Sequence, residues 1–184
     1  MPSWQKIARR IRVPLGFLFA AAYIWLAHPT ARSIVAGSCI SLIGLLIRAL
    51  ASGHVKKNQQ LTTSGPYAYT RNPLYFGSFI LAVGFAVASR SWWVALIAAA
   101  MFFAIYIPVI RGEEAFLSSH FPEFEEYAHN VPRLFPRLRP YKSSATSFSW
   151  DLYWKHREYN AALGAAFMIA AMVGKKMILG IAAR

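Results

Sequence analysis

At 184 residues, 57% of them hydrophobic and 15% aromatic, the chain is too apolar for an ordinary soluble domain and falls in the membrane class. Its formal net charge of +13 does not mark a nucleic-acid binder, because the basic residues crowd the edges of apolar runs instead of forming one continuous face. A single cysteine, Cys39, leaves no intrachain disulfide and, inside an apolar stretch, reads as a small buried residue.

The first apolar run, 13–31, follows Lys6, Arg9, Arg10 and Arg12 and lacks the small-residue exit of a signal peptide, so a retained span is expected. The second, 33–53, is broken only by Arg48, close enough to one end to extend its head to the interface. The third, 74–89, reaches spanning length if Asn72 and Pro73 open it, proline being tolerated in a first turn. The fourth, 91–110, is uncharged, and its leading Trp92 and Trp93 suit an interfacial belt. A polar segment, 111–157, follows, then a weaker run, 159–174, closed by Lys175 and Lys176 and read as a fifth span.

Three residues between runs three and four, and a short link around His28, Pro29 and Thr30 between runs one and two, predict two helical hairpins. Unpaired backbone is not tolerated in lipid and the runs are too long for barrel strands. The expected fold is therefore an all-α integral membrane domain of about five transmembrane helices in hairpins. It divides into a first hairpin (1–53), a polar-motif region with the second hairpin (54–136) and a C-terminal segment (137–184). Lys and Arg concentrate at the start, in the 54–72 loop and after residue 110, whereas the hairpin tips carry only Arg32 and Arg90, so the loop end is expected on the cytoplasmic face.

At that end the sequence gathers His54, Asn58, Tyr67, Arg71, Asn72 and Tyr75 from one side, and Glu113 and Glu114 from the other. Singly, each is an ordinary headgroup anchor or surface ion pair. Together, beside two Gly/Pro turns, they predict a small-molecule pocket.

The string LTTSGPYAYTRNPLYFGSF, then after one hairpin RGEEAFLSSHFPEFEEYAHNVPRLFP, resembles the isoprenylcysteine carboxyl methyltransferase family and the related phospholipid N-methyltransferases. The resemblance covers about 54–136 and includes HVKKN at 54–58. It implies an integral-membrane methyltransferase that uses S-adenosylmethionine, releases S-adenosylhomocysteine and has no Rossmann sheet, in keeping with the missing strand–GxGxxG–helix unit. By position it makes Tyr67, Asn72, Pro73, Tyr75, Gly77, Glu113 and Glu114 the cofactor-binding set. Asn72 stands where the family has histidine, so it can hydrogen-bond but not titrate.

The acceptor implied is lipidic or isoprenoid, reached from the membrane lipids. For a carboxylate, as in prenylcysteine, Arg71 would orient it bidentately with Asn58 as auxiliary donor. For an amine or thiol, a proton must leave, and Glu114 or His54 is the candidate base. The competing classes are a sterol-reductase-like enzyme using NADPH and a non-catalytic membrane protein. No metal site and no nucleic-acid partner are expected, and the sequence leaves the oligomeric state open.

Overall fold

The computed structural model describes residues 3–55, 60–141 and 147–182. Among them there is no strand, and eight α-helices carry the fold. They are α1 (Ser3–Leu26), α2 (Ala31–Ser52), α3 (Pro73–Ser89), α4 (Trp92–Met101), α5 (Ile107–His120), α6 (Phe124–Asn130), α7 (Trp150–Lys155) and α8 (Tyr159–Ala182). A π-helical turn, Phe102–Tyr106, joins α4 to α5 without a break in direction, so Trp92–His120 forms one long apolar helix. This helix, α2 and α8 are long and apolar enough to cross a membrane, and Pro14–Leu26 and Pro73–Ser89 are shorter apolar helices.

The boundaries follow local chemistry. Thr30 caps α2 through a reciprocal capping box with Ser33. Pro73 occupies the first turn of α3, where its missing N–H costs nothing. Arg90 ends α3 in the left-handed region, at φ 52°. At this tip the His28 amide donates to Ser89 O at 2.7 Å and Ser33 Oγ donates to Ala88 O at 3.0 Å, so the two hairpin tips are tied together.

While α1 packs chiefly on α4, the π-helical turn and α5, the tightest packing joins α2 to α3, across the polar loop. Glycine makes this possible. A Cβ at Gly37 would fall 2.5 Å from Gly84 O, and one at Gly44 would fall 2.7 Å from Gly77 O. Close backbone contact at small residues is how helices associate where lipid removes the hydrophobic drive. Cys39 faces away from this seam and is exposed, against the expectation of burial, because the α3-facing side of α2 is set by Gly37, Ser41 and Gly44. Helix α8 crosses back over α1, α2 and α3, and Tyr23, Phe85, Met168 and Met172 form the core between them. Lys175, expected to flank the last span, lies inside α8 and donates to Ile24 O and Trp25 O at 2.7 and 2.8 Å, satisfying carbonyls at the end of α1.

Candidate active site

At the loop end, opposite the tips, α2, α3, α5, α6 and the link between α7 and α8 surround a cleft of about 790 Å³. That volume suits a small molecule. Its walls are held by two polypeptide stretches bonded side by side. Arg71 N donates to Pro132 O at 3.0 Å, Arg137 N to Tyr69 O at 2.9 Å and Tyr141 N to Ala68 O at 3.0 Å. Thr70 Oγ1 adds a bond to Leu134 O at 2.9 Å, and the Tyr127 hydroxyl one to Tyr67 O at 2.7 Å. The valine–proline–arginine stretch at 131–133 thus fixes the turn carrying Tyr67 to Asn72.

Glu114 is buried and spent on three partners. Asn72 Nδ2 donates to its Oε1 at 2.9 Å and Arg133 Nε to its Oε2 at 2.8 Å. Arg71 Nε lies 3.3 Å from Oε1 without the alignment of a hydrogen bond, and Arg71 Nη1 donates to Ala128 O at 3.2 Å. Asn72 also donates to Arg133 O at 2.9 Å, so both amide hydrogens bridge α5 to the loop after α6.

Glu113 differs. It makes no ion pair among the described residues, and its Oε1 accepts from the Tyr75 hydroxyl at 2.8 Å. Around it the cleft is aromatic, with Tyr67, Tyr75, Tyr106, Phe116, Phe124 and Tyr127 in its lining. Burial, then Tyr127, Glu113, Tyr75 and Glu158, push the Tyr67 phenol far above its usual range, so Tyr67 remains a neutral hydroxyl.

A second polar cluster closes the other end. Arg48 Nε donates to Glu158 Oε1 at 2.6 Å, while Nη1 donates to Ser78 Oγ and, at 3.4 Å, to Leu74 O. The sequence predicts that Arg48 reaches for the interface; instead it turns into the cleft, because Glu158 and the first turns of α3 offer closer partners. His156, with Nδ1 3.1 Å from Ser52 O, lies beside this pair.

The sequence-predicted residues therefore separate. Tyr67, Arg71, Asn72, Tyr75, Glu113 and Glu114 line the cleft. Pro73 is buried at the foot of α3, and Gly77 faces Gly44 and Arg48 of α2 instead of a ligand. His54 stacks over the turn at Gly65, its Nδ1 2.7 Å from Leu50 O, and does not line the cleft. Gly65, at φ 56°, is the position where that turn requires glycine. Asn58 lies outside the described residues. Arg48, Ser78, His156 and Glu158 were not singled out by the sequence; the available signal was a lone arginine inside an apolar run, which in a membrane helix marks a polar cavity.

The family model described as phospholipid methyltransferase matches residues 15–123. The chain belongs to that family. It is 37% identical over 138 residues to the cobalt-zinc-cadmium resistance protein CzcN of Cupriavidus metallidurans, covering 74% of this chain and 62% of that one. The nickel-cobalt-cadmium resistance protein NccN of Alcaligenes xylosoxydans xylosoxydans is 40% identical over 111 residues, 60% of this chain and 51% of its own length. A protein-S-isoprenylcysteine O-methyltransferase from Schizosaccharomyces pombe is 30% identical over 125 residues, 67% of this chain and 48% of its own length. The chain thus spans between about half and three-fifths of these relatives' lengths. No solved structure matches. The family match includes Glu113 and Glu114 but stops short of Arg133 and Glu158.

Proposed function

We propose that the protein is a membrane methyltransferase that takes its methyl group from S-adenosylmethionine and passes it to a lipidic or isoprenoid acceptor, with the cofactor entering from the cytoplasmic face. The observation that carries this reading is the charge of the cleft. Arg48 pairs with Glu158, and Arg71 and Arg133 with Glu114, whereas Glu113, inside an aromatic wall, has no ion pair among the described residues. Such a site suits a ligand with a positive centre, held by charge and by aromatic faces.

S-adenosylmethionine fits this description, since it carries an ammonium and a sulfonium, and it supplies a methyl group already activated for displacement. Glu113, held by Tyr75, would bind the positive end of the cofactor. The first turn of α3, where Asn72, Leu74 and Tyr75 line the cleft, offers a helix N-terminus to the cofactor's carboxylate. Tyr67 and Tyr106 would shield the reacting centre from water, which a displacement at carbon requires for alignment more than for acid–base help.

Calorimetry of the purified protein with S-adenosylhomocysteine tests the reading. Micromolar or tighter binding, about −8 kcal/mol, is expected, with none for NADPH. Absence of heat and of a thermal shift at saturating ligand would refute it.

A further inference from the structure

A second hollow, apart from the cleft, lies between α3 and α4, with a volume of about 460 Å³. Alanines make it. Ala82 and Ala86 on α3, and Ala95 and Ala99 on α4, follow one another on a single stripe of each helix, so the hairpin leaves a furrow between its larger side chains. Phe79 and Phe102, with ring centroids 5.4 Å apart, close the inner end. One turn further on are Tyr75 and Tyr106, which line the cleft, so a layer of aromatic rings separates the two hollows. At the other end Arg90, Ser91 and Trp92 form the mouth, at the hairpin tip.

Length and charge say what fills it. At 1.5 Å per residue, α3 rises about 16 Å from Phe79 to Arg90. One leaflet of a bilayer whose hydrocarbon core is about 30 Å thick is about 15 Å deep. The furrow thus has the length of a single lipid chain, and Trp92 and Trp93, exposed at its mouth, set that end at the headgroup level. All seven Asp and Glu residues fall between 113 and 158, in segments at the loop end, whereas the tip end carries Arg32, Arg90, Lys175 and Lys176. Arg90 is exposed, and among the described residues its guanidinium has no hydrogen-bond or ion-pair partner. It also stands at φ 52°, where a helix cap favours glycine and any side chain costs backbone energy. An unmatched cation kept at such a position, above an apolar furrow, complements the head of an anionic amphiphile.

We propose that this furrow binds one anionic phospholipid from the leaflet at the hairpin tips, with an acyl chain laid along the alanines and the phosphate on Arg90. The site is independent of the methyltransferase reading. Its lipid is held and not methylated, because its head lies at the opposite membrane face from Glu113 and the rings of Phe79 and Phe102 shut its chain off from the cleft. The chain exchanges lipid contacts for protein contacts of similar kind, so packing alone gives little preference. Selectivity comes from the head, where a guanidinium fork matches a phosphate with two parallel hydrogen bonds. A second copy of the chain is the poorer occupant, since it would bring another set of tip cations to a rim that has no acidic side chain.

The test uses the full chain in detergent, with added phosphatidylglycerol, phosphatidylcholine of the same chains, or glycerol phosphate as the head alone. Native mass spectrometry counts the bound molecules, and thermal unfolding reads their effect. The wild type is expected to hold one phosphatidylglycerol at least about tenfold more tightly than phosphatidylcholine, to melt higher with it, and to ignore glycerol phosphate. Arg90→Gly suits φ 52°, so it is expected to fold at least as stably as the wild type without lipid and yet to lose the preference. Ala95→Leu fills the furrow from an exposed position and should weaken both lipids at least about tenfold, whereas Arg32→Gln, a tip cation outside the furrow, should stay within about threefold of the wild type. Equal affinity of the wild type for the two lipids, a preference that survives in Arg90→Gly, lipid binding that survives in Ala95→Leu, or glycerol phosphate bound as tightly as the lipid would each overturn the proposal. So would a lipid-free dimer that Ala95→Leu dissociates, because the furrow would then belong to a second copy. If Ala95→Leu does not fold, the comparison of Arg90→Gly with the wild type decides.

Discussion

Asn72 Nδ2 donates to Glu114 Oε1 at 2.9 Å, inside a network that also brings Arg71 and Arg133 to the same carboxylate. The amide joins the start of α3 to α5 and, through Arg133 O, to the loop that follows α6. The stability of the fold and the shape of the cleft are therefore coupled through this one side chain.

Glu114→Ala would leave two arginines beside a buried hole. Removing one partner of a buried ion pair costs about 3–5 kcal/mol, far more than the pair's own net contribution. A fall in melting temperature is expected, together with loss of S-adenosylhomocysteine binding. Glu114→Gln should recover part of the stability, since the Arg133 bond survives. Asn72→Ala should be milder, about 1–3 kcal/mol, the cost of leaving the Arg133 carbonyl and one carboxylate oxygen with fewer donors. Equal stability of Asn72→Ala and wild type in a denaturant titration would mean that the amide does not hold the network.

The glycine seam gives a second prediction, on folding and not on chemistry. Gly44→Val places branched carbons where Gly77 O and the Leu81 backbone already stand, at 2.7 Å from a Cβ. Overpacking of a fitted interface costs about 1–3 kcal/mol, and here backbone, not a movable side chain, must give way. Gly164→Val on α8, where a Cβ would meet nothing within 4 Å, is the control and should leave stability unchanged. Thermal unfolding in detergent compares the two.

Much of this was legible in the sequence for a physical reason. Apolar runs of fixed length are the strongest pattern a membrane chain carries, so the helical spans follow from it, and Asn72 and Pro73 mark the start of α3 unaided. The convergence of Tyr67, Asn72, Tyr75, Glu113 and Glu114 also followed, because a hairpin must return its ends to one place. What the sequence hid depends on rotation about helix axes. Nothing in the apolar run states that Gly37 and Gly44 turn toward α3 and Cys39 away, and nothing near Arg48 names Glu158 as its partner, 110 residues on. Nor does the sequence state that Gly77 turns toward Gly44 and Arg48 of α2.

Orientation can be checked directly. In a Cys39→Ser background, a cysteine at Ser119, exposed near the end of α5, and one at Arg90, exposed at the opposite tip, should react from opposite sides of the membrane. From the excess of Lys and Arg at the loop end, the cysteine at Ser119 is expected to be labelled from the cytoplasmic side. Labelling of Ser119 from outside would put the cleft beyond the reach of a cytosolic cofactor and remove S-adenosylmethionine from consideration.

Cofactor binding should separate Glu113 and Tyr75 from residues of the outer face. Glu113→Gln removes the unmatched charge but not the acceptor for the Tyr75 hydroxyl, and is expected to weaken S-adenosylhomocysteine binding by about tenfold, or 1.4 kcal/mol. Tyr75→Phe should weaken it less, because the ring that packs edge-on against Tyr106 remains. Glu125→Ala, whose described partner is the exposed Ser118, should leave the titration unchanged. Three identical isotherms would show that the cofactor does not lie against Glu113.

Arg71 is the residue where geometry changes the expectation most. A sequence reading makes its guanidinium an orienter of an acceptor carboxylate, and on that role Arg71→Ala would spare cofactor binding and slow only transfer. The structure gives the side chain other work. Its Nη1 donates to Ala128 O in α6, its Nε lies beside Glu114, and the guanidinium carbon is 6.0 Å from the centre of the Phe124 ring. Each of these contacts holds a wall of the cleft, and they turn the guanidinium toward α6 and Glu114. Arg71→Ala is therefore expected to lower S-adenosylhomocysteine affinity and methyl transfer together, with a smaller loss of stability than Glu114→Ala, because Arg133 and Asn72 still hold Glu114. Arg71→Lys should restore the charge beside Glu114 but not the Ala128 bond, and so recover part of the stability. Calorimetry beside single-turnover transfer separates the two roles: intact affinity with transfer reduced a hundredfold, about 2.7 kcal/mol, would return Arg71 to the acceptor.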